Sequence, residues 1–421
     1  MRIYLLILIL INITMSIGKA LSIEELLDIA FNNSPILKSQ YHRMNAAKES
    51  YKKESIFKNN PVLSFSYSNV PLSDWPSLNK HAMSGFSIGI SQYIATPWED
   101  TSRKMALYNK YLSDKEALGE AKNLLAFQIQ STYHNIFFLH KKREILNKNR
   151  KVFQDISKLA EALVSVNKMN SSQLLKLKAD IFIINNKIIE LDGEISNSQT
   201  SMEKLCGLTI DWNITDESKN RWIDTENAKD IPIKFNVKEH PLYKKIFAQY
   251  KSQVAVFQLE KAKLNPGITL GLDYRIRQEI PGKSEGDDFI SLKASSPIPL
   301  FYACKDRHSI KAAEEKENES REVLRTIEID LKSKWKGASI IHSKLLISFL
   351  SYEREVLPGY WSAYLAQLAS LSAGTLNLLD VLDTYRLYLN ASLEHARIYR
   401  DLMISKLKLN YLLNNFLGKN P

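Results

Sequence analysis

The sequence predicts a mainly helical chain with a small β part, written as two structural repeats of one pattern: a helix, a β-hairpin, then a very long helical hairpin. Three observations predict this. Glycine and proline are scarce, at 14 and 13 of 421 residues, which favours long helices over a loop-rich fold. Four short runs alternate apolar and polar residues with a period of two. Short features of the first half recur in the same order in the second, offset by about 205 residues.

The repeat is carried by particular residues. Ser34-Pro35-Ile36-Leu37-Lys38 is answered by His240-Pro241-Leu242-Tyr243-Lys244, and Asn60-Pro61 by Asn265-Pro266. Farther along, Arg150-Lys151-Val152 is answered by Arg354-Glu355-Val356, and Asn170-Ser171-Ser172-Gln173-Leu174-Leu175 by Thr375-Leu376-Asn377-Leu378-Leu379-Asp380. Leu205-Cys206-Gly207 and Phe416-Leu417-Gly418 close the two halves. The resulting organisation is a secretory signal over 1–20, a first repeat over 21–230 and a second over 231–421. The first repeat has strands near 61–70 and 83–94, a helical hairpin over about 98–207 and a polar segment over 208–230. The second has strands near 266–277 and 288–299 and a helical hairpin over about 300–418.

The signal is read from a basic Arg2, an apolar run from Ile3 to Ile13, and the small residues of Gly18-Lys19-Ala20 before a cut after Ala20. That run is too short to span a bilayer as a helix. No cysteine follows the cut, which argues against a lipid-anchored N-terminus. The two cysteines, Cys206 and Cys304, form no paired motif and are expected as free thiols. The formal net charge is +11, but the basic residues are scattered among acidic neighbours. Such mixing marks solvated helical faces, and an exported chain has no nucleic-acid partner.

In Leu63-Ser64-Phe65-Ser66-Tyr67-Ser68 the apolar residues are all odd-numbered. Phe86-Ser87-Ile88-Gly89-Ile90-Ser91 and Ile268 to Ile276 alternate in the same way, and Phe289 to Ser295 does so more weakly. Pro-bearing polar segments, with Pro71, Pro76 and Pro281, join the runs into two hairpins. No proline interrupts the chain from Trp98 to Ile231, and Leu118, Ala121, Leu125, Ile129, Ile136 and Leu139 step by helical spacing. Leu382, Leu389, Leu393, Ala396, Met403 and Leu407 keep a heptad-like rhythm in the second half. A helix over about 100–168 would be roughly 100 Å long at 1.5 Å per residue.

Strands of this length and alternation suit a tilted outer-membrane crossing, although a soluble two-sided sheet has the same pattern. Four strands cannot close a barrel in lipid, where an open edge leaves backbone groups unsatisfied. Pooling strands among copies solves this. Three copies give twelve strands around a water-filled lumen, whereas two give eight and little room for a pore.

The repeated half, the Asn-Pro before a strand and the run Gly374-Thr375-Leu376-Asn377-Leu378-Leu379-Asp380-Val381-Leu382-Asp383 resemble the TolC-like outer-membrane efflux protein family. The opening Leu21-Ser22-Ile23-Glu24-Glu25-Leu26-Leu27 is similar to the family's start. The resemblance covers essentially the whole mature chain. It implies a homotrimer with a twelve-stranded transmembrane β-barrel continued by a periplasmic α-helical barrel. It further implies an outer-membrane exit duct of a tripartite pump or of type I secretion. Its partners would be outer-membrane lipid, a periplasmic adaptor and an inner-membrane transporter of the RND or ABC type, with no chemistry and no cofactor of its own.

In the family the Gly374-type turn lies at the periplasmic tip. Asp380 and Asp383 are three apart and share a helix face. If that face lines a constriction, three copies set six carboxylates around one axis, which would attract cations and raise some of their pKa values. The alternative is a helix start that two acids favour through the macrodipole. Pro358-Gly359 sits inside a helical stretch and predicts a bend, while its first-half counterpart Phe153 allows a straight helix. Gly374, Pro358 and Gly359 are therefore the expected tip and hinge of a gate made by the second hairpin. Met169 stands where the second half has Gly374, and Leu376 occupies a position where some family members carry a basic tether.

Tyr67, Tyr93, Trp98, Phe301 and Tyr302 lie at strand ends and read either as an interfacial aromatic belt or as ordinary packing. No catalytic or metal motif emerges: there is no GxSxG or HExxH, Gly282-Lys283-Ser284 lacks the upstream glycine of a phosphate loop, and the histidines are dispersed. His134 and His140 are expected on a helix surface. A competing reading is a periplasmic coiled-coil scaffold or an adaptor without a pore. An adaptor would carry one long hairpin rather than two, and a scaffold has no use for paired alternating strands.

Overall fold

The computed structural model of the protein describes residues 22–54, 57, 59–69, 72–75, 81, 83–167, 169–210, 212, 235–280, 282, 286–372 and 378–416. The expected signal, most of the polar segment 208–230 and the tip residue Gly374 lie outside the described residues. The elements run in order α1 (Ile23–Asn33), α2 (Pro35–Lys52), β1 (Val62–Ser68), β2 (Gly85–Ile94), α3 (Pro97–Ser165) and α4 (Ser171–Cys206). After them come α5 (Pro241–Ala262), β3 (Ile268–Ile276), β4 (Phe289–Ser295), α6 (Arg307–Ser351), α7 (Leu357–Ser372) and α8 (Leu378–Leu412). The chain is mainly helical with one small antiparallel sheet.

Local chemistry explains the element boundaries. Helices α2, α3 and α5 each begin with proline at their first position, where the missing N–H costs no helical bond. A capping box starts α1: Ser22 accepts from the Glu25 N–H and Glu25 accepts from the Ser22 N–H. Asn170 caps α4 by accepting from the Ser172 N–H at 3.0 Å.

Two compact units divide the chain. One comprises the described residues of Gln40–Leu118 and Pro241–Glu328 and holds the sheet, in the order β1-β2-β3-β4 with every neighbour antiparallel. Its strand-to-helix passage is fixed by charge. Arg103 is nearly buried and donates to Glu54 at 2.5 Å, Glu99 at 3.2 Å and Asp100 at 3.4 Å. Glu99, 3% exposed, also accepts from the Tyr93 hydroxyl at 2.8 Å. A carboxylate so deep needs such partners, because an unpaired buried charge is strongly destabilising.

The other unit comprises the described residues of Met1–Ser39, Gly119–His240 and Ile329–Pro421. It is a coiled-coil arrangement. Leu139, Leu146, Phe153 and Ala160 recur every seven residues on α3 and are all at most 5% exposed. Leu177, Ile184 and Leu191 keep the same period on α4, and both sets join one core with Tyr364, Leu378, Val381, Leu382 and Tyr385. Phe349 stacks on His395 at 4.7 Å and anchors a second cluster with Ile398, Tyr399, Leu402 and Met403.

The two long hairpins differ. α3 runs unbroken through Phe153 to Ser165, whereas α6 ends in a π-helical turn over Tyr352–Val356 that leads directly into α7. Pro358 is the second residue of α7. A proline inside a helix removes one hydrogen bond, and the wide turn before it is a common accommodation.

His134 corrects the sequence expectation of a surface residue. It is only 6% exposed, and His140 is half-buried. The reason is that Asn123, Leu125, Ala126, Ile129, His134 and Ile136 occupy more than one stripe of α3, so this stretch is covered on two sides. Burial pushes the His134 imidazole down to about 4, and it does the same to His240, which is 1% exposed. Both rings are therefore neutral when folded. An unfolded chain takes up protons on them below about 6.5. Their contribution to stability is thus complete above that pH and is lost as pH falls toward 4. Thermal unfolding followed by circular dichroism should show a midpoint that falls between pH 6.5 and 5, with a smaller slope in His134→Gln.

Candidate pore-lining surfaces

The register of the sheet sorts its side chains into two unlike faces. Leu63 lies opposite Ile90, Phe65 opposite Ile88 and Tyr67 opposite Phe86. On the next ladders Ile90 meets Leu272, Ile88 meets Tyr274, and these meet Leu292 and Ile290 in turn. This apolar face is open: Phe65 is 63% exposed, Ile290 70% and Leu292 85%. Contiguous apolar surface of that extent marks a binding or lipid-facing surface. The edge strands β1 and β4 each have one unpaired side among the described residues.

The opposite face is mostly small and polar, with Val62 opposite Ser91 and Phe289 opposite Arg275 as its apolar members. It carries Ser64, Ser66 and Ser68 on β1, Ser87, Gly89 and Ser91 on β2, Thr269, Gly271, Asp273 and Arg275 on β3, and Ser291, Lys293 and Ser295 on β4. Lys293 pairs with Asp273 across the ladder at 2.5 Å. A Cβ at Gly89 would sit 2.0 Å from Asp273 Oδ1 and 2.8 Å from Ser64 Oγ, so both side chains would have to move to admit one. Of the expected aromatic belt, Trp98, Phe301 and Tyr302 are exposed. Tyr67 shares the apolar face and meets Trp75 edge-on at 5.0 Å. Tyr93 does not join them: it alternates with Ser91 onto the polar face, where its hydroxyl bonds Glu99 and accepts the Gly267 N–H at 3.1 Å.

In the helical unit the first turns of α8 carry the predicted acids. Asp380 and Asp383 are both exposed, while Leu378, Val381, Leu382 and Tyr385 turn into the core. Asp383 is not a bare carboxylate. Arg386, one turn on, donates to it and also to Asp180 on α4. The Asp180–Arg386 pair is about one quarter exposed and joins positions 206 residues apart, the spacing of the sequence repeat. Arg386 was readable as an i,i+3 partner of Asp383, and Asp180 could be found only by superposing the two halves. Pro358 and Gly359 lie in the first turn of α7, just after the π turn.

Among the described residues no helix is long and apolar enough to cross a membrane, and no group of three or more His, Cys, Asp or Glu could hold a metal ion. Cys206 is buried, with its thiol pushed up to about 11 by desolvation, and Cys304 is exposed; both are free.

Replacing Gly89 with alanine should drive Asp273 off Lys293 and disturb the sheet. Heat-modifiable electrophoretic migration measures this, and the expected outcome is loss of the compact species at lower temperature than in the parent protein.

No protein-family model and no curated protein matches this sequence. Solved structures do. The outer membrane protein VceC of Vibrio cholerae superposes with a TM-score of 0.77 at 13% identity, covering 93% of this chain and 96% of that one. CusC, solved in a study of folding and transmembrane channel formation, gives 0.76 at 16%, covering 93% and 91%. The Campylobacter jejuni CmeC outer membrane channel gives 0.74 at 13%, covering 93% and 85%. This chain therefore has the fold of solved outer-membrane channels, mainly helical with a small antiparallel sheet.

Proposed function

We propose that the protein is the outer-membrane exit duct of a tripartite efflux pump, a passive pore and not an enzyme. The single observation that carries this is the sheet: an open apolar face, a mostly polar opposite face and two edges with no strand neighbour among the described residues. In water such a face is a liability, and in lipid the edges are. Both are relieved when β1 of one copy pairs with β4 of the next and twelve strands close as a homotrimeric barrel, lipid outside and lumen inside. The outward heptad stripe of Leu175, Phe182 and Ile189 on α4, each at least 66% exposed, supports coiled-coil packing between copies in the periplasm. A scaffold or adaptor would leave the apolar sheet face without a solvent. Cargo would arrive from a periplasmic adaptor and an inner-membrane transporter of the RND or ABC type.

Light scattering of detergent-extracted protein from separated membranes tests this reading. The expected result is a trimer from the outer-membrane fraction. A monomer in the soluble periplasm would overturn it.

We further propose that the second hairpin is the gate. Pro358, Gly359 and the π turn form its hinge, Gly374 its tip, and Asp380 and Asp383 its cation-attracting ring. Within each copy Arg386 ties Asp383 and α8 to Asp180 on α4, a latch that resists movement of α8. A charge-assisted pair at this partial exposure is worth about 1 kcal/mol, or about five-fold in an opening equilibrium. Arg386→Ala should therefore raise basal ion conductance in planar bilayers, and high salt should shrink the difference between variant and parent.

A further inference from the structure

The polar face of the sheet carries Arg275, a cation outside the Asp273–Lys293 pair. Arg275 on β3 donates from Nε to the Ser87 hydroxyl on β2 at 3.3 Å and from Nη2 to the Ser68 hydroxyl on β1 at 3.0 Å. These neutral hydroxyls are its hydrogen-bond partners, and among the described residues no carboxylate pairs with it. The site is built rather than incidental. Three strands contribute to it, and Gly85 supplies the clearance, since a Cβ there would fall 3.1 and 3.3 Å from Arg275 Cγ and Cδ. Two residues on, Arg277 lays its guanidinium over the Phe289 ring at 4.2 Å and donates to the Asp287 carbonyl at 2.7 Å.

We infer that Arg275 is an anion-binding residue of the pore lumen, taking carboxylate- or phosphate-bearing solutes. The inference rests on the duct reading, which puts this face on the lumen. A guanidinium has five N–H donors in a planar fork, and the two serines use two of them. The remaining donors suit a carboxylate or phosphate oxygen, and the serines hold the fork in place so that little ordering entropy is lost on binding. Lys293 does not compete, because Asp273 holds it. Three copies place three such guanidiniums around one lumen, a ring that concentrates anions.

Single-channel recording of the full-length protein in planar bilayers, under a potassium chloride gradient and with inorganic phosphate as blocker, tests this. The parent pore is expected to show phosphate block. In Arg275→Gln the chloride-to-potassium permeability ratio should fall about three-fold and the block should disappear. Arg275→Lys keeps the charge but loses the fork, so it should preserve the ratio and lose most of the block. An unchanged ratio in Arg275→Gln overturns the inference while leaving the duct intact. If Arg275→Gln fails to assemble, Arg275→Lys decides: weakened block supports the site and undiminished block overturns it. A parent protein that forms no pore overturns the duct reading itself, a distinct failure.

Discussion

Everything in the sheet depends on where its backbone hydrogen bonds end. Four antiparallel strands pair in sequence order, and among the described residues β1 and β4 each have a strand neighbour on one side only. In water the backbone groups of such edges are hydrated, but then Phe65, Ile290 and Leu292 face solvent. In hydrocarbon the side chains are at home and the edges become intolerable. Neither solvent suits the isolated sheet. The duct proposed above resolves this by giving each edge a second edge of the same kind. A small residue on the polar side fits this: Gly89 leaves room for the Asp273 carboxylate, which stays paired with Lys293.

A different rule organises the helical unit. A period of seven on α3 and α4 buries Leu139 through Ala160 and Leu177 through Leu191, and charge decorates the periphery: Arg143 with Asp192, Lys178 with Glu161, Arg386 with Asp180. The peripheral pairs are weak singly, because water competes for both partners. They matter through geometry, since each links helices that the hydrophobic seam alone would allow to slide. Polar groups that do enter the interior are few and neutral or paired. His342 is fully buried and shares a 2.8 Å hydrogen bond with Ser405, whose hydroxyl donates to the Leu402 carbonyl.

How much of this was legible in the sequence follows from what each signal depends on. Alternation is local, so Leu63 to Ser68 and Ile268 to Ile276 announced strands and their two faces directly. Heptad spacing is local too, and so is the proline that α7 carries in its first turn. Tertiary facts were another matter. His134 looks like any polar residue on a helix until a second stripe of α3 is covered. Tyr93 sits where a belt residue belongs, yet its register sends it to the polar side. Asp180 and Arg386 meet through folding of chain segments far apart, and only the internal repeat hints that they correspond. Arg275 shows as an isolated basic residue in an alternating run, and its serine bed appears only once β1, β2 and β3 are aligned.

The π turn at Tyr352–Val356 has a mechanical consequence. Such a turn stores one residue beyond what an α-helix needs. Handing that surplus to a neighbouring turn moves the defect along the helix without unwinding it. Every side chain passed over rotates by about 100° about the helix axis. A helix with a stored residue can change which stripe faces its neighbours at small enthalpic cost, whereas α3, unbroken from Pro97 to Ser165, has no such slack. The first long hairpin thus begins on an unbroken helix, whereas the second carries a surplus residue at its middle.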